Sequence, residues 1–160
     1  MTRNNWSCAS CDETRLSMRV GRARFCVDCK QSRTLYNTTR ANLRSGFNRG
    51  NKGSPKLQIT IDDFCRWRKA QSQVCHYCGI RQEDISVVGM KSQIQRPVKV
   101  MGVDRLDSED EYRLENMKPC CFVCNQVKGN RFSPSEMKRI GLAIGKVWRD
   151  RIATNDHRPL

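Results

Sequence analysis

The stretch MGVDRLDSEDEYRLENMKPCCFVCNQVKGN, Met101 to Asn130, decides the fold of this chain together with the short CHYCG, Cys75 to Gly79. Each stretch contains a Cys-x-x-Cys pair, and the four cysteines are Cys75, Cys78, Cys121 and Cys124. Four thiolates suit tetrahedral Zn²⁺, and a closed shell of four sulfurs leaves no open position for a substrate water. The sequence therefore predicts a structural zinc ion that ties the two stretches together.

The same cysteine pattern occurs earlier in the chain, where the four cysteines are Cys8, Cys11, Cys26 and Cys29. Fourteen residues separate these two pairs, a spacing typical of zinc ribbons and treble-clef-like knuckles. Cys65 and Cys120 remain. We expect Cys65 to be an ordinary buried thiol. We expect Cys121 to bind zinc in preference to Cys120, because two residues separate it from Cys124, as in a zinc knuckle. Two structural zinc ions per chain are therefore expected.

The bulk composition agrees with folding around metal ions. Only 38% of the 160 residues are hydrophobic, so either half of the chain alone would bury little apolar surface. The first ten residues, MTRNNWSCAS, lack the apolar region of a signal peptide, and no apolar run approaches the length of a membrane span. We therefore expect a cytoplasmic protein that is not secreted and has no membrane partner. In such a location paired cysteines bind metal rather than form disulfides.

Positive charge is concentrated in one segment of a chain whose formal net charge is +14. No acidic residue lies between Asp28 and Asp62. A helix is predicted over residues 30–45, with several arginines on one face, and a basic linker is predicted to follow it. Basic segments of this kind indicate nucleic-acid binding. The predicted DNA-binding residues of this segment are Arg33, Arg40, Arg44, Arg49 and Lys52.

The linker over residues 46–57 (GFNRGNKGSPKL) predicts the domain organisation. Residues 1–57 would contain a Cys₄ zinc knuckle, the basic helix and the linker. Residues 58–160 would contain the second zinc site and the candidate catalytic residues. In this second part the pattern predicts helices over residues 60–71 and from Ser133 onward, with capping boxes at both starts. It also predicts strands over residues 98–106 and 114–118, which makes the fold class α+β.

Three polar residues occupy key positions around the second cysteine cluster. Asp104 stands at the end of the first predicted strand, Asn116 at the start of the second, and Asn125 directly after the last cysteine. A strand–loop–strand–helix unit would bring Asp104 and Asn125 together over one divalent cation. Oxygen ligands suit Mg²⁺ or Mn²⁺, which retain water molecules and accept a phosphate oxygen. The sequence therefore indicates phosphodiester chemistry on a nucleic acid.

These motifs resemble those of the HNH nucleases of the ββα-metal (His-Me finger) superfamily. Within it they are most similar to the branch of PacI-like restriction enzymes and free-standing phage HNH homing endonucleases. The resemblance covers most of the chain, including the N-terminal Cys₄ cluster. The matching segments are CHYCG (75–79), GVDRLDS (102–108), LEN (114–116), CFVCNQVKGN (121–130) and FSPSEM (132–137). It implies a ββα-metal core stabilised by Cys₄ zinc sites, preceded by a zinc knuckle and a basic helix.

Position by position, the resemblance implies a role for three residues, and the chain departs from it at a fourth. Asp104 and Asn125 match the ligands of the catalytic metal, and Asn116 matches the central Asn that orients the loop between the strands. The residue after the metal-binding Asp is commonly the His general base, and this chain has Arg105 there. Arginine stays protonated and cannot act as a base, but its planar guanidinium can bind the scissile phosphate.

Another group must therefore activate the water. The candidates are Tyr77 and His76, both between the first pair of knuckle cysteines. The resemblance favours Tyr77, whereas an unperturbed pKa of about 6.5 favours His76. Residues at such positions can also merely pack or face solvent. Lys128 follows Asn125 by three residues and is predicted to contact the phosphate.

The expected function is a site-specific, divalent-metal-dependent endonuclease of double-stranded DNA, either a homing endonuclease or a PacI-like restriction enzyme. One HNH unit cuts one strand, so a double-strand break requires a homodimer or two successive nicks, and a two-fold dimer implies a palindromic site. The alternative is a non-catalytic zinc-finger protein that binds nucleic acid and lost its activity when Arg105 replaced the histidine.

Overall fold

The structure, a computed structural model, describes residues 5–11, 14–16, 25–48 and 56–154. The chain divides into two compact units, Met1–Gln71 and Ser72–Leu160. This division lies later in the sequence than the predicted one between residues 57 and 58. The difference arises because the helix after the linker packs with the first unit. Arg49 and Lys52, two of the predicted DNA-binding residues, lie outside the described residues.

The first unit contains a small hairpin and two helices. Strands β1 (Asn5–Ser7) and β2 (Thr14–Leu16) pair antiparallel, with Trp6 opposite Arg15. Helix α1 spans Val27–Asn48 and is longer than predicted at both ends. Gly46 was expected to end it, yet the helix continues past this residue because one internal glycine costs only about 1 kcal/mol.

Helix α2 (Ile61–Ala70) packs on α1 through aromatic side chains. The ring of Phe64 meets the ring of Tyr36 edge-on, with 5.7 Å between centroids. The Tyr36 hydroxyl also donates a hydrogen bond to the carbonyl oxygen of Ile59 at 2.9 Å. The predicted cap is confirmed, since the Thr60 Oγ1 accepts from the Asp63 backbone N–H at 3.1 Å. These contacts join α2 to the first unit and account for the later division of the chain.

The second unit is built around a strand–strand–helix motif. Strands β3 (Gly102–Arg105) and β4 (Met117–Cys120) pair antiparallel, with Asp104 opposite Lys118, and helix α3 (Phe122–Lys128) follows at once. Both strands are shorter than predicted, and β4 begins one residue after Asn116. A 3₁₀ helix, Gln82–Ile85, precedes the motif. The α+β class and the ββα core are thus confirmed.

Helix α4 (Pro134–Thr154) covers the zinc end of the second unit. Its predicted capping box is confirmed: the Glu136 carboxylate accepts from the Ser133 backbone N–H at 2.8 Å, and the Ser133 hydroxyl accepts from the Glu136 N–H at 3.3 Å. Met137 and Trp148 are buried, whereas Val147, next to Trp148, is 47% exposed. The buried face instead runs through two glycines, Gly141 and Gly145.

In the part of the chain that the structure describes, no helix has both the length and the apolar character needed to cross a membrane.

Candidate active site

The two predicted cysteine clusters form as predicted. In each cluster all four Sγ atoms lie within 4.8 Å of one another. The Cys78 and Cys121 Sγ atoms are 3.7 Å apart, and those of Cys11 and Cys26 are 4.0 Å apart. Zn–S bonds of about 2.3 Å in a tetrahedron place sulfurs about 3.8 Å apart. Both clusters therefore fit zinc.

The two remaining cysteines, Cys65 and Cys120, lie close to the clusters but do not belong to them. The Cys120 Sγ is buried and donates to the carbonyl oxygen of Cys121 at 3.4 Å. The Cys65 Sγ is buried and lies 3.8 Å from the carbonyl oxygen of Cys29. Cys121, and not Cys120, thus belongs to the cluster. It also caps α3, because its Sγ accepts from the Cys124 N–H at 3.5 Å.

The knuckle that carries His76 and Tyr77 is a tight backbone turn fixed to β4. The Gly79 N–H donates to the Cys75 carbonyl oxygen at 3.0 Å, and Gly79 has a φ of +72°, which a residue with a side chain adopts only with strain. The His76 N–H donates to the Pro119 carbonyl oxygen at 2.9 Å. The turn therefore has a fixed position relative to the ββα motif.

Helix α4 presses directly on this turn. A Cβ atom at Gly141 would lie 2.5 Å from the carbonyl oxygen of Tyr77, and one at Gly145 would collide with the carbonyl oxygen of Cys78. The helix can approach so closely only because both residues lack a side chain. The glycine face of α4 therefore helps to set the position of Tyr77.

Tyr77 meets Asp104 inside the second unit. Its hydroxyl donates to the Asp104 Oδ2 at 2.6 Å, and the two residues are 4% and 5% exposed. Burial raises the pKa of Tyr77, and the neighbouring carboxylate raises it further. Burial also raises the pKa of Asp104, against the hydrogen bond from Tyr77 and the charge of Lys128, which lower it. The phenol is therefore protonated and serves as a donor to the carboxylate.

Lys128 is fully buried, which contradicts its predicted contact with phosphate. Its Nζ lies 3.3 Å from the Asp104 Oδ2 and donates to the Arg105 carbonyl oxygen at 2.7 Å and the Ser108 Oγ at 2.9 Å. The physical reason is that α3 packs on β3, which turns this face of the helix toward the end of the strand. Lys128 is thus an internal partner of Asp104.

Asn116 fixes the loop between β3 and β4. Its Oδ1 accepts from the Asp107 N–H at 2.8 Å, and its Nδ2 donates to the carbonyl oxygens of Asp107 and Glu111, both at 3.0 Å. This is the loop-orienting position that the resemblance implies. All three of these hydrogen bonds join the side chain to backbone atoms of the loop.

A cavity of about 370 Å³ opens beside Asp104. Its wall includes Asp104 and Arg105 from β3, Ser108 and Tyr112 from the loop, and Asn125 from α3. The cavity thus brings together the two predicted metal ligands and Arg105. The Arg105 Nη1 donates to the Asp110 carbonyl oxygen at 2.6 Å, and its guanidinium carbon lies 5.0 Å from the centre of the Tyr112 ring. Arg105 is held at the wall of the cavity.

His76 lies next to Tyr77, and neither of these two residues is among those that line this cavity. Its half-buried ring meets the Tyr77 ring edge-on at 5.0 Å. Burial lowers the pKa of His76, and the positive charges of Lys138 and Lys118 lower it further. The imidazole is therefore held toward its neutral form.

The predicted DNA-binding arginines of α1 differ in their surroundings. Arg40 and Arg44 are exposed. Arg33 is not a free surface residue: its Nη1 contacts the Asp62 Oδ1 at 2.7 Å and the Ser10 Oγ at 2.8 Å, and its guanidinium carbon lies 4.2 Å from the centre of the Phe25 ring. Asp62 also accepts from the Ser10 hydroxyl at 2.8 Å, so Arg33 ties the first zinc knuckle to α2. Arg33 thus has a structural role within the first unit, and its contact with DNA stays a prediction.

Sequence reasoning missed two kinds of residue at the site. Tyr112, under the Arg105 guanidinium, gave no signal because its contact depends on how the loop folds back. Gly141 and Gly145 could have been found from the sequence. Two small residues four positions apart on a helix indicate a face that packs closely against another element.

Comparison with known proteins adds one relationship. Neither a protein-family model nor a curated protein matched the sequence. Among solved structures, the chain is similar to the rare-cutting HNH restriction endonuclease PacI, at 28% sequence identity and with a TM-score of 0.62. The likeness covers 91% of this chain and 96% of that chain. Together with the ββα core and the two Cys₄ clusters, this likeness supports an HNH, PacI-like relationship for the chain.

Proposed function

We propose that this protein is a divalent-metal-dependent endonuclease that cuts double-stranded DNA at specific sites. The observation that carries the proposal is the short hydrogen bond from the buried Tyr77 to Asp104, which lines a cavity together with Arg105 and Asn125. The structural likeness to an HNH restriction endonuclease supports the same class of activity.

The donor set at the cavity fits a hard divalent cation. The Asp104 carboxylate and the Asn125 side-chain oxygen would hold it, and no sulfur or imidazole lies among the described residues that line the cavity. When bound, Mg²⁺ or Mn²⁺ neutralises charge on the phosphate and stabilises the leaving oxygen. Both protein ligands lie on elements adjoining the second zinc cluster, which therefore fixes their spacing without taking part in the chemistry.

The surrounding side chains position the reactants. Arg105, held at the cavity wall, presents its guanidinium to the scissile phosphate. The Tyr77 hydroxyl uses its proton on Asp104, which leaves the lone pairs of its oxygen to accept a hydrogen bond from the attacking water. Because the phenol keeps its proton, Tyr77 orients the water without deprotonating it, and the neutral ring of His76, which lies against Tyr77, would accept the water proton. Asn116 keeps the loop in place from behind.

We assign DNA positioning to the first unit. Arg40 and Arg44 on the exposed side of α1 contact the phosphate backbone, and Arg49 and Lys52 extend this basic segment in the sequence. A homodimer would place two cutting sites on opposite strands of a palindromic target. Homing and restriction use the same chemistry, and a neighbouring methyltransferase gene would favour restriction.

The rival reading is a DNA- or RNA-binding protein without activity. The observation that favours it is that Arg105 occupies the place of the general base and that Asp110 and Tyr112 already engage its guanidinium. A protein without activity would give no functional reason for the hydrogen bond between Tyr77 and Asp104. Cleavage assays distinguish the two readings.

The test uses purified full-length protein whose zinc content has been verified, incubated with a large phage or bacterial genome and with plasmid DNA. Reactions contain Mg²⁺ or no added divalent ion; EDTA is avoided because it also removes zinc. We expect discrete, Mg²⁺-dependent fragments whose sequenced ends identify the target. Asp104→Asn should lose at least about a hundredfold in rate, whereas Asp150→Asn, an exposed change of the same type on α4, should cut normally.

Two results would contradict the proposal. Wild-type protein that binds DNA but cuts no sequence of a broad library would favour the binding protein. Cutting by Asp104→Asn at a rate close to that of the wild type would remove this cavity as the active site.

A further inference from the structure

Lys128 is a buried cation that the proposed reaction does not use. It is 0% exposed, and its Nζ lies 3.3 and 3.4 Å from the two oxygens of Asp104. A lysine in the interior is costly unless its charge is paired. Here the pairing is with the one carboxylate that the proposed metal also needs.

The position of the ammonium group is fixed from the other side. It donates to the carbonyl oxygen of Arg105 at 2.7 Å and to the Ser108 hydroxyl at 2.9 Å. Ser108 is itself held, because its hydroxyl donates to the carbonyl oxygen of Gly129 at 3.1 Å. Lys128 therefore cannot swing away when a cation approaches Asp104.

The charges of the side chains that line the cavity are unfavourable to a free cation. Among the described residues that line it, Asp104 is the only acid, Arg105 adds a positive charge, and the amide ligand Asn125 is neutral. Lys128 behind the carboxylate offsets the remaining negative charge. Cation affinity in oxygen sites rises with the negative charge of the ligands, so a site with this charge balance holds a divalent ion weakly by itself.

We propose that Lys128 is a positioning residue that makes metal binding depend on DNA. This inference rests on the proposed function. In the free protein the ammonium orients Asp104 and opposes the divalent ion. A DNA phosphate at the cavity supplies the missing negative charge, so that the ion and the DNA stabilise each other's binding. The free enzyme would then carry little metal at its cutting site.

The experiment measures Mn²⁺ binding by electron paramagnetic resonance, with the full-length, zinc-loaded protein. Mn²⁺ is titrated into protein alone and into protein with a nicked product duplex, which carries a phosphate at the cut position and cannot be cut again there. For the wild type we expect DNA to tighten Mn²⁺ binding at least about thirtyfold. For Lys128→Met, which fills the same space without the charge, we expect binding to the DNA-free protein to tighten at least about tenfold.

Matched variants show whether the effect belongs to this lysine. Lys146→Met removes an exposed charge from α4 in the same unit and should leave DNA-free Mn²⁺ binding unchanged. In an Asp104→Asn background, Lys128→Met should no longer tighten binding. Zinc content and circular dichroism show whether each variant is folded.

The outcomes separate this inference from the proposed function. No Mn²⁺ binding by the wild type, with or without DNA, would remove the metal site itself and with it the proposed function. Wild-type protein that binds Mn²⁺ equally tightly with and without DNA would overturn the role of Lys128, even if Lys128→Met failed to fold. A folded Lys128→Met protein with unchanged or weaker binding would overturn it as well.

Discussion

The Tyr77 hydroxyl can be removed without emptying its place, because phenylalanine keeps the ring packed in the knuckle. We expect Tyr77→Phe to reduce the cleavage rate at least about a hundredfold, since a hydroxyl that orients the attacking water and a carboxylate acts on the reacting atoms. Zinc content and DNA affinity should stay at wild-type values. The measurement is single-turnover cleavage with saturating enzyme.

Two comparisons make this prediction specific. Tyr36→Phe removes another buried tyrosine hydroxyl, from the first unit, and should lower stability by about 1 kcal/mol while cleavage continues. The variant His76→Ala distinguishes between His76 and Tyr77 as the residue that activates the attacking water. If His76→Ala abolishes cutting and Tyr77→Phe does not, the imidazole activates the water.

Individual residues can be identified from the sequence when their role follows from spacing. The eight clustered cysteines are of this kind, because ligand spacing alone determines which of them can share an ion. The burial of Lys128 could not be identified in this way, since helical periodicity places Lys128 one turn from Asn125 but does not show what that face of the helix contacts. Its burial depends on the Arg105 carbonyl and on Ser108, which come from a distant part of the chain.

Among the elements, α4 has the most direct influence on the site. We expect Gly141→Ala to push the backbone of Tyr77 away from Asp104, because the new Cβ would overlap the Tyr77 carbonyl oxygen. Overpacking of this kind costs about 1–3 kcal/mol, and cleavage should fall together with stability. Thermal unfolding and cleavage rate are the measurements.

The neighbouring residue provides the control for this helix. Leu142 is 70% exposed, so Leu142→Ala changes a side chain of α4 without touching the knuckle. Its cleavage rate should match the wild type. Normal activity and stability in Gly141→Ala would mean that the helix can shift outward and does not determine the position of Tyr77.

Helix α1 is expected to contribute DNA affinity. Arg40→Ala combined with Arg44→Ala should weaken binding and reduce the slope of log affinity against log salt by about 2, since two phosphate contacts are lost. Arg33→Ala is a separate case, because its ion pair with Asp62 belongs to the fold and its loss should reduce stability. A salt slope equal to that of the wild type in the double variant would exclude this face of α1 from the interface.

Element types were easier to predict than their limits. The helix starts at Thr60 and Ser133 could be predicted because capping is local chemistry between residues three positions apart. The first strand is predicted too long and the second begins three residues too early, because the two pair only from Gly102 to Arg105 and from Met117 to Cys120. Where pairing stops depends on the loop that Asn116 holds, and that loop is a tertiary feature.

For the whole molecule, each unit contains its own cysteine cluster, and we expect the two to be lost separately. Structural zinc sites contribute about 10–16 kcal/mol in small peptides, which matches or exceeds the total stability of a small domain, about 5–15 kcal/mol. Cys121→Ser should therefore bind one zinc per chain, unfold the second unit and lose all cutting. Cys8→Ser should bind one zinc and unfold only the first unit.

Zinc content and amide hydrogen exchange, resolved by peptide, are the measurements for these two variants. A variant in which both units unfold together would contradict the independence of the two units.

The division between the units was the least predictable feature at this scale. A segment rich in glycine, asparagine and lysine is a reasonable boundary by composition, yet the contact between Tyr36 and Phe64 spans it and joins α2 to α1. Composition describes how a segment behaves alone, whereas a boundary depends on which surfaces pack together.

The order of the two clusters along the chain has a consequence for synthesis on the ribosome. The first cluster is complete once Cys29 has been added, whereas the second needs Cys124. A nascent polypeptide can thus complete the first cluster, in the unit proposed to hold DNA, while the second cluster, beside the proposed cutting site, is still unformed. Chains arrested between these two points should carry a single zinc and show no cleavage of DNA.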